Sequence, residues 1–280
     1  MEYLDRRRAL VEARLESVLA DLDPPALATS IDHVIFAGGK RVRPTLTILS
    51  CEALGGDPED AVDFAAGIEL VHTASLVVDD IIDESSVRRG VESAHAKFGT
   101  GAAIIASDGL LGEAFELFAR EPRALRIVSE AMVELGQGEG VELVDRPSNE
   151  AEYRTLATRK TGALFTAAAQ LGAVAAGGTE EQIDAMGEYA ERVGVAFQMR
   201  DDVLDATAEA EVIGKPTGTD AAMDRPSLLE VTDLTPDEVN QRAQRESRAA
   251  LEALDRIDLV EDAPAQYLAD LATFVVERER

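Results

Sequence analysis

The sequence predicts an all-α fold. Apolar residues recur at the i, i+3, i+4 spacing of a helix over most of the chain, and no segment shows convincing strand alternation. The apolar material is mostly Ala, Val, Leu and Ile, with no Trp and 4 % aromatics. Ala and Leu at this density favour helix. A hydrophobic content of 46 % in 280 residues supports a sizeable core.

The charged opening MEYLDRRRALVEARLE begins a first helix over about 2–21. A second, 25–37, stops at GGK (38–40), and Pro44 opens the third, 43–54. After GGDPED (55–60) comes a long helix over 59–83, which gives way to RRG (88–90). Helical spacing resumes over 92–98, 100–119 and 122–144 and is broken by DRPSN (145–149). Helices over 149–177 and 179–206 meet at GG (177–178), and GKPTGTD (214–220) precedes the last two, 235–254 and 262–278. No low-complexity linker divides the chain, so 1–280 reads as one helical domain. The region 211–234 is the least regular and suits an active-site flap.

Composition excludes several functions. The single cysteine, Cys51, permits neither an intrachain disulfide nor a thiolate metal cluster and reads as a small buried apolar residue. The N-terminus lacks an apolar signal core, and apolar stretches such as FTAAAQLGAVAAGG are too short for a stable membrane span, so a cytoplasmic protein is expected. A formal charge of −27 repels nucleic acid and anionic membranes. Only Lys40, Lys97, Lys160 and Lys215 among the 27 basic residues are lysine. A GC-rich genome explains scarce lysine but not the acidic excess. Together they predict a halophilic protein.

Against this background the motifs stand out. DDIID (79–83) closes a long apolar helix and puts Asp79 and Asp83 on one face, with Asp80 beside them. Carboxylates clustered at a helix C-terminus repel one another and oppose the helix dipole unless a cation joins them. Hard oxygen ligands suit Mg²⁺, with diphosphate oxygens and water completing the octahedron. DDVLD (201–205) repeats the pattern with Asp201, Asp202 and Asp205, and Gln198 lies one turn earlier. One such motif in an acidic chain is weak evidence, since it can arise by accident; two, each ending a long apolar helix, are much less expected by chance. GGKRVRP (38–44) projects Lys40, Arg41 and Arg43 from a glycine turn, a cation density that suits a diphosphate. Arg88 and Arg89 form a second basic pair, and RKTG (159–162) and GKP (214–216) add Lys160 and Lys215. Three of the four lysines therefore sit in Gly-associated motifs. Acidic clusters for Mg²⁺ and basic clusters for diphosphate together specify a site for two polyphosphorylated substrates.

GGKRVRP, HTASLVVDDIIDESSVRRG, RKTGALF and GVAFQMRDDVLD followed by GKPTGTD, in this order over about 30–220, resemble the polyprenyl synthetase (trans-isoprenyl diphosphate synthase) family. The resemblance implies a helical bundle of the isoprenoid synthase type with a central active-site cavity. It also implies the condensation of isopentenyl diphosphate with an allylic diphosphate, three Mg²⁺ ions and a homodimer. By the same resemblance Asp79 and Asp83 ligate two Mg²⁺ with Asp80 in support, and Asp201 ligates the third with Asp202 and Asp205 in attendance. Arg88, Lys160 and Lys215 bind the allylic diphosphate. Lys40, Arg43, His72 and Arg89 bind isopentenyl diphosphate, with Arg41 beside them. Thr161 and Gln198 steady the carbocation or the departing pyrophosphate. Taken without the family, His72 reads as a satisfied core histidine.

The helix of DDIID places Ser75, Val71 and Ile68 on the face of the metal ligands, with Ala74 beside Ser75. In the family, bulky aromatics at the Ala74 and Ser75 positions stop chain growth. Small residues here imply a product of twenty carbons or more. The stretches after Phe118 and after Asp220 look trimmed for the family. Two alternatives stand beside the synthase: a class I terpene cyclase, which has no use for GGKRVRP, and a regulatory subunit, which has no use for two intact acidic motifs.

Overall fold

In the computed structural model, residues 2–212 and 226–277 are described, apart from the side chains of 208–212. The chain opens with α1 (Glu2–Leu19), α2 (Pro25–Ile35), α3 (Val42–Ala53) and α4 (Pro58–Ile82). A two-stranded antiparallel hairpin follows, β1 (Val87–Arg88) and β2 (Val91–Glu92), with Arg88 opposite Val91. Then come α5 (Ala94–Phe98), α6 (Thr100–Phe118), α7 (Pro122–Val144), α8 (Glu150–Ala157), a π-helical turn (Thr158–Gly162), α9 (Ala163–Ala175) and α10 (Glu180–Val212). The described chain ends with α11 (Leu228–Val231), α12 (Pro236–Leu254) and α13 (Asp262–Glu277).

Several boundaries are fixed by local chemistry. Asp57 caps α4 by accepting from the Glu59 N–H at 2.9 Å, and Pro58 occupies the first turn, where an amide hydrogen has no partner to lose. Reciprocal capping boxes, Ser227 with Glu230 and Thr235 with Glu238, start α11 and α12. Such a cap contributes about 1 kcal/mol. The third helix begins at Val42 rather than at Pro44, because Arg41 takes a left-handed conformation at its N-cap. The expected helix over 149–177 is interrupted by the π turn, and the helix that carries DDVLD continues past 206 to Val212. The hairpin was not legible as strand, since two residues per strand are too few to alternate. After Phe118 a three-residue connection, 119–121, leads into α7.

The main buried cluster joins Val11 and Leu15 of α1, Leu46 and Ile48 of α3, and Ile68 and Leu70 of α4. Leu110 of α6, Leu171 of α9, Tyr189 of α10 and Leu268 of α13 also belong to it, as do residues of α2, α7 and α12. Small residues let the helices approach closely: α9 contacts α3, α4, α7 and α10. A satellite cluster holds Tyr153 and Ala157 of α8 against Val195, Met199 and Val203 of α10 and Val239 of α12. Cys51 is buried, and burial pushes its thiol up to about 12. One expectation needs correction. Among the described residues α4 is long and apolar enough to cross a bilayer, but 67 % of that segment is buried by its neighbours, as in a core helix.

Candidate active site

The two acidic motifs lie on α4 and α10, the helices that flank α9. At the end of α4, Asp83 is the C-cap and donates its N–H to the Asp79 carbonyl at 2.9 Å. No basic residue lies in the last turn of α4 to offset the dipole. Asp80 is 4 % exposed and accepts from Arg88 Nε at 2.8 Å. Arg88 thereby ties β1 to the acidic motif.

The hairpin turn places Arg89 (φ 54°) and Gly90 (φ 81°) in the left-handed region. Arg89 Nη1 donates to the Gly38 carbonyl, so the second basic pair docks on the glycine turn of the first. Gly39 sits there at φ 135°, a backbone conformation that residues with a side chain rarely adopt. On the far side of this turn, Arg43 Nη1 donates to His72 Nε2 at 3.0 Å, and its guanidinium stands 4.7 Å from the centre of the Phe165 ring. His72 therefore carries its hydrogen on Nδ1. Burial, reinforced by Arg43, Arg89, Arg88 and Arg41, holds its imidazole well below the ordinary histidine value, so it is neutral. Burial also lowers the Arg43 guanidinium, which stays charged. Its Nε is buried and has no hydrogen-bond partner among the described residues. A buried, unsatisfied arginine nitrogen among further arginines fits an anion.

Lys160 lies on the π turn, where Nζ pairs with Glu139 Oε2 at 3.3 Å and, more closely, with Glu142 Oε2. Both glutamates project from α7. Gly138 permits the approach, since a Cβ there would lie 2.9 Å from the Lys160 backbone nitrogen. Burial pulls the Lys160 ammonium down, but Glu142, Glu139 and Asp79 outweigh it and raise it above its ordinary value. Burial first and Asp79 second push the Glu139 carboxyl up to about 7. Asp79 thus shares one electrostatic space with Lys160. Thr161 Oγ1 donates to Gln198 Oε1 at 2.7 Å, and Gln198 Nε2 donates to Asp202 Oδ1 at 3.1 Å. Lys160, Thr161, Gln198, Asp201, Asp205 and Glu142 line one open cavity.

Two expected site residues are turned inward. Arg41, with a side chain 1 % exposed, pairs with Glu69 at 2.6 Å and Glu12 at 2.8 Å and donates to the Ile35 carbonyl at 2.6 Å. The left-handed backbone at Arg41 aims it into the core, where it locks the loop rather than facing a diphosphate. Asp202 Oδ2 accepts from Tyr153 O–H at 2.6 Å and from the Leu228 N–H at 2.7 Å, and burial pushes its carboxyl up to about 6. It fastens α8, α10 and α11 together. Lys40 is exposed, with Nζ 6.0 Å from the Phe274 ring of α13. Lys215 lies outside the described residues, as does most of the expected flap. Of the chain-length residues, Ile68, Val71 and Ala74 are buried, and half-buried Ser75 donates to the His72 carbonyl at 2.8 Å. Phe118 of α6 is also buried, 6.1 Å from Phe64.

Sequence reasoning missed Glu139, Glu142 and Tyr153. The run GQGEGVE carried a signal for the first two: acids three apart lie on one face of a helix whose glycines invite close approach. Among the described residues no three acidic or imidazole side chains converge tightly enough to hold a metal alone. Such open carboxylate sets suit Mg²⁺, which keeps waters and takes substrate phosphate oxygens. The residues present fit that ion.

The polyprenyl synthetase family model matches residues 24–263. The short chain isoprenyl diphosphate synthase of Methanothermobacter thermautotrophicus is 36 % identical over 260 residues, 90 % of this chain and 78 % of that one. The geranylgeranyl pyrophosphate synthetase structure from Pyrococcus horikoshii superposes with a TM-score of 0.88 at 33 % identity, covering 99 % and 98 % of the chains. A polyprenyl synthase from Caulobacter crescentus, complexed with calcium and isoprenyl diphosphate, gives 0.86 at 28 % identity, covering 99 % and 98 %. The chain belongs to the polyprenyl synthetase family and is a prenyltransferase of the prenyl diphosphate synthase class.

Proposed function

We propose that this protein condenses isopentenyl diphosphate with an allylic diphosphate in a Mg²⁺-dependent reaction, giving a trans-prenyl diphosphate of twenty carbons or more. One observation carries the two-substrate reading. Arg43, held by a neutral His72 and with its buried Nε without a hydrogen-bond partner among the described residues, lies within the electrostatic reach of Arg89, and none of these residues lines the cavity of Lys160 and Asp201. Lys40, Arg43 and Arg89 hold isopentenyl diphosphate there, and His72 orients Arg43.

Asp79 and Asp83 on one side and Asp201 with Asp205 on the other would hold Mg²⁺, three ions in all. When bound, Mg²⁺ neutralises charge on the departing pyrophosphate. Lys160 leaves its glutamate partners for the allylic diphosphate, joined by Lys215, while Arg88 steadies Asp80 and reaches the same phosphates. As the allylic C–O bond breaks, the Thr161–Gln198 pair presents oxygen dipoles to the cation. The alkene of isopentenyl diphosphate attacks, a C–C bond forms and a proton leaves to pyrophosphate. The buried faces of α4 and α9 exclude water that would quench the cation. The exposed apolar side chains of Ile104 and Ile105 on α6 support a homodimer.

The purified protein alone, given Mg²⁺, farnesyl diphosphate and labelled isopentenyl diphosphate, should form an acid-labile labelled prenyl diphosphate, and EDTA should abolish it. Turnover only after a second protein is added would favour the regulatory-subunit alternative. Consumption of farnesyl diphosphate without incorporated label would favour a cyclase.

A further inference from the structure

The α2–α3 loop (36–41) and the hairpin turn are short stretches with several left-handed residues: Gly38, Gly39, Arg41, Arg89 and Gly90. Arg41 anchors the loop to Glu12 and Glu69, and Arg88 anchors the hairpin to Asp80, but these contacts do not join the two stretches to each other. Two further contacts cross-link them. At the pocket end Arg89 donates to the Gly38 carbonyl. At the far end His33 of α2 lies 2.7 Å, through Nε2, from the Glu92 carbonyl of β2. Four residues lie between 33 and 38 and two between 89 and 92, so the two contacts close a small ring of chain.

The chemistry of His33 is fixed by its partners. A carbonyl only accepts, so Nε2 carries the hydrogen and Nδ1 keeps its lone pair. Lys97 Nζ, 3.1 Å away, donates to that lone pair. Phe98 meets the imidazole edge-on at 5.4 Å, and Lys97 Nζ stands 5.3 Å from the same ring. Lys97 is the one lysine outside the Gly-associated motifs, and this contact gives it a role.

We propose that His33, oriented by Lys97, is a positioning residue: its bond to the Glu92 carbonyl sets the hairpin against the α2–α3 loop and so fixes the spacing of the cations that receive isopentenyl diphosphate. This rests on the reading of the Lys40, Arg43 and Arg89 pocket given above. His33 touches no substrate and acts through the backbone of β2 and the glycine turn. The consequence falls mainly on isopentenyl diphosphate: Lys160 and Asp201 lie on other elements, and Arg88, the one allylic-side cation on the hairpin, has its own anchor on Asp80.

The test is steady-state kinetics of the full-length protein with Mg²⁺, varying isopentenyl diphosphate and farnesyl diphosphate in turn, alongside thermal unfolding. His33→Leu removes both polar contacts. It should raise KM for isopentenyl diphosphate about tenfold, the loss expected of a hydrogen-bond pair, and leave KM for farnesyl diphosphate within about twofold. His33→Gln keeps an N–H donor and a carbonyl acceptor and should recover to within about threefold of the wild type. Lys97→Met leaves the Glu92 bond in place and should raise the same KM by about threefold, readable even if His33→Leu folds poorly. Lys40→Ala reports on the pocket itself. A raised KM in Lys40→Ala with unchanged values in His33→Leu and Lys97→Met overturns the role of His33 alone. An unchanged KM in Lys40→Ala overturns the pocket reading and this inference with it. Both substrate KM values rising together, or Gln performing no better than Leu, would show a general structural role instead.

Discussion

Arg88 donates to a single oxygen of Asp80, Oδ1, from Nε at 2.8 Å and from Nη2 at 2.6 Å. The middle carboxylate of the first acidic motif is therefore held by a cation, while Asp79 is electrostatically coupled to Lys160 and Glu139 across the cavity. Asp80→Asn should lower turnover about tenfold, whereas Asp79→Ala or Asp201→Ala should lower it about a thousandfold or more, because uncompensated pyrophosphate charge raises the ionisation barrier. Steady-state turnover at saturating Mg²⁺ measures both. A loss in Asp80→Asn as deep as in Asp79→Ala would make Asp80 a ligand in its own right.

Arg41 and Arg43 are two residues apart and should fail in different ways. Arg41→Met strands Glu69, itself 2 % exposed, and breaking a buried pair costs about 3–5 kcal/mol. Its thermal midpoint should fall sharply, with little change in KM for the protein that remains folded. Arg43→Met should keep the midpoint within a few degrees and raise KM for isopentenyl diphosphate. Chemical denaturation and kinetics on the same preparations separate the two.

His72 sets an acid limit on stability. Its imidazole is held neutral in the fold by burial first and neighbouring arginines second. The unfolded chain takes up a proton below the ordinary histidine value of about 6.5, and the folded chain does not. Stability is then fully present above about 6.5 and is lost as pH falls, by about 1 kcal/mol at pH 5.5 from this residue. His72→Gln should flatten that part of the curve, as measured by denaturation midpoints between pH 7.5 and 5.5. Equal slopes in both proteins would remove His72 as the cause.

A formal charge of −27 should make folding depend on salt. Repulsion among surface carboxylates is screened once the Debye length falls to about 3 Å near 1 M. Helical circular dichroism should weaken on dialysis into dilute buffer and return with KCl. A thermal midpoint that stays constant up to about 2–3 M KCl, well into the fully screened range, would refute the halophilic reading.

Product length should respond to the face of α4 below Asp79. Ala74 and Ser75 are small, and Phe118 stands beside Gly67, twelve residues or about 18 Å down the helix from Asp79. Ser75→Phe and Ala74→Tyr put a ring where the tail passes and should shorten the product, since overpacking an occupied tunnel costs about 1–3 kcal/mol. Phe118→Ala should lengthen it. Chromatography of the dephosphorylated alcohols reads all three. A wild-type product of fifteen carbons, or an unchanged distribution in the variants, would show that another surface measures the chain.

Helix positions and both acidic motifs were legible because each is local: a 3.6-residue period or a carboxylate spacing within one turn. Cys51 was legible for the same reason, as a small apolar residue on a buried face. What escaped depended on contacts between distant segments. GGKRVRP displays three cations equally, yet the left-handed backbone at Arg41 sends one of them to Glu12 and Glu69, and spacing alone cannot show that. DDVLD likewise displays three carboxylates, but Tyr153, forty-nine residues away, claims the middle one. Glu139 and Glu142 went unread because an acidic helix face in an acidic protein ordinarily meets only water.

The π turn at Thr158–Gly162 also works as a phase shifter. A π turn holds about one residue more than an α turn, so it rotates everything after it by about 100° relative to an unbroken helix. Before the turn, Tyr153 and Ala157 face the satellite cluster; after it, Leu164 and Phe165 face the main core. One rod thus serves two separate cores, and the offset falls at the residues that meet the cavity, Lys160 and Thr161. Removing a single residue here would restore ideal helix geometry yet leave α8 or α9 facing the wrong way. The length of this segment is therefore constrained by angle, so that losing one residue here is more damaging than most substitutions.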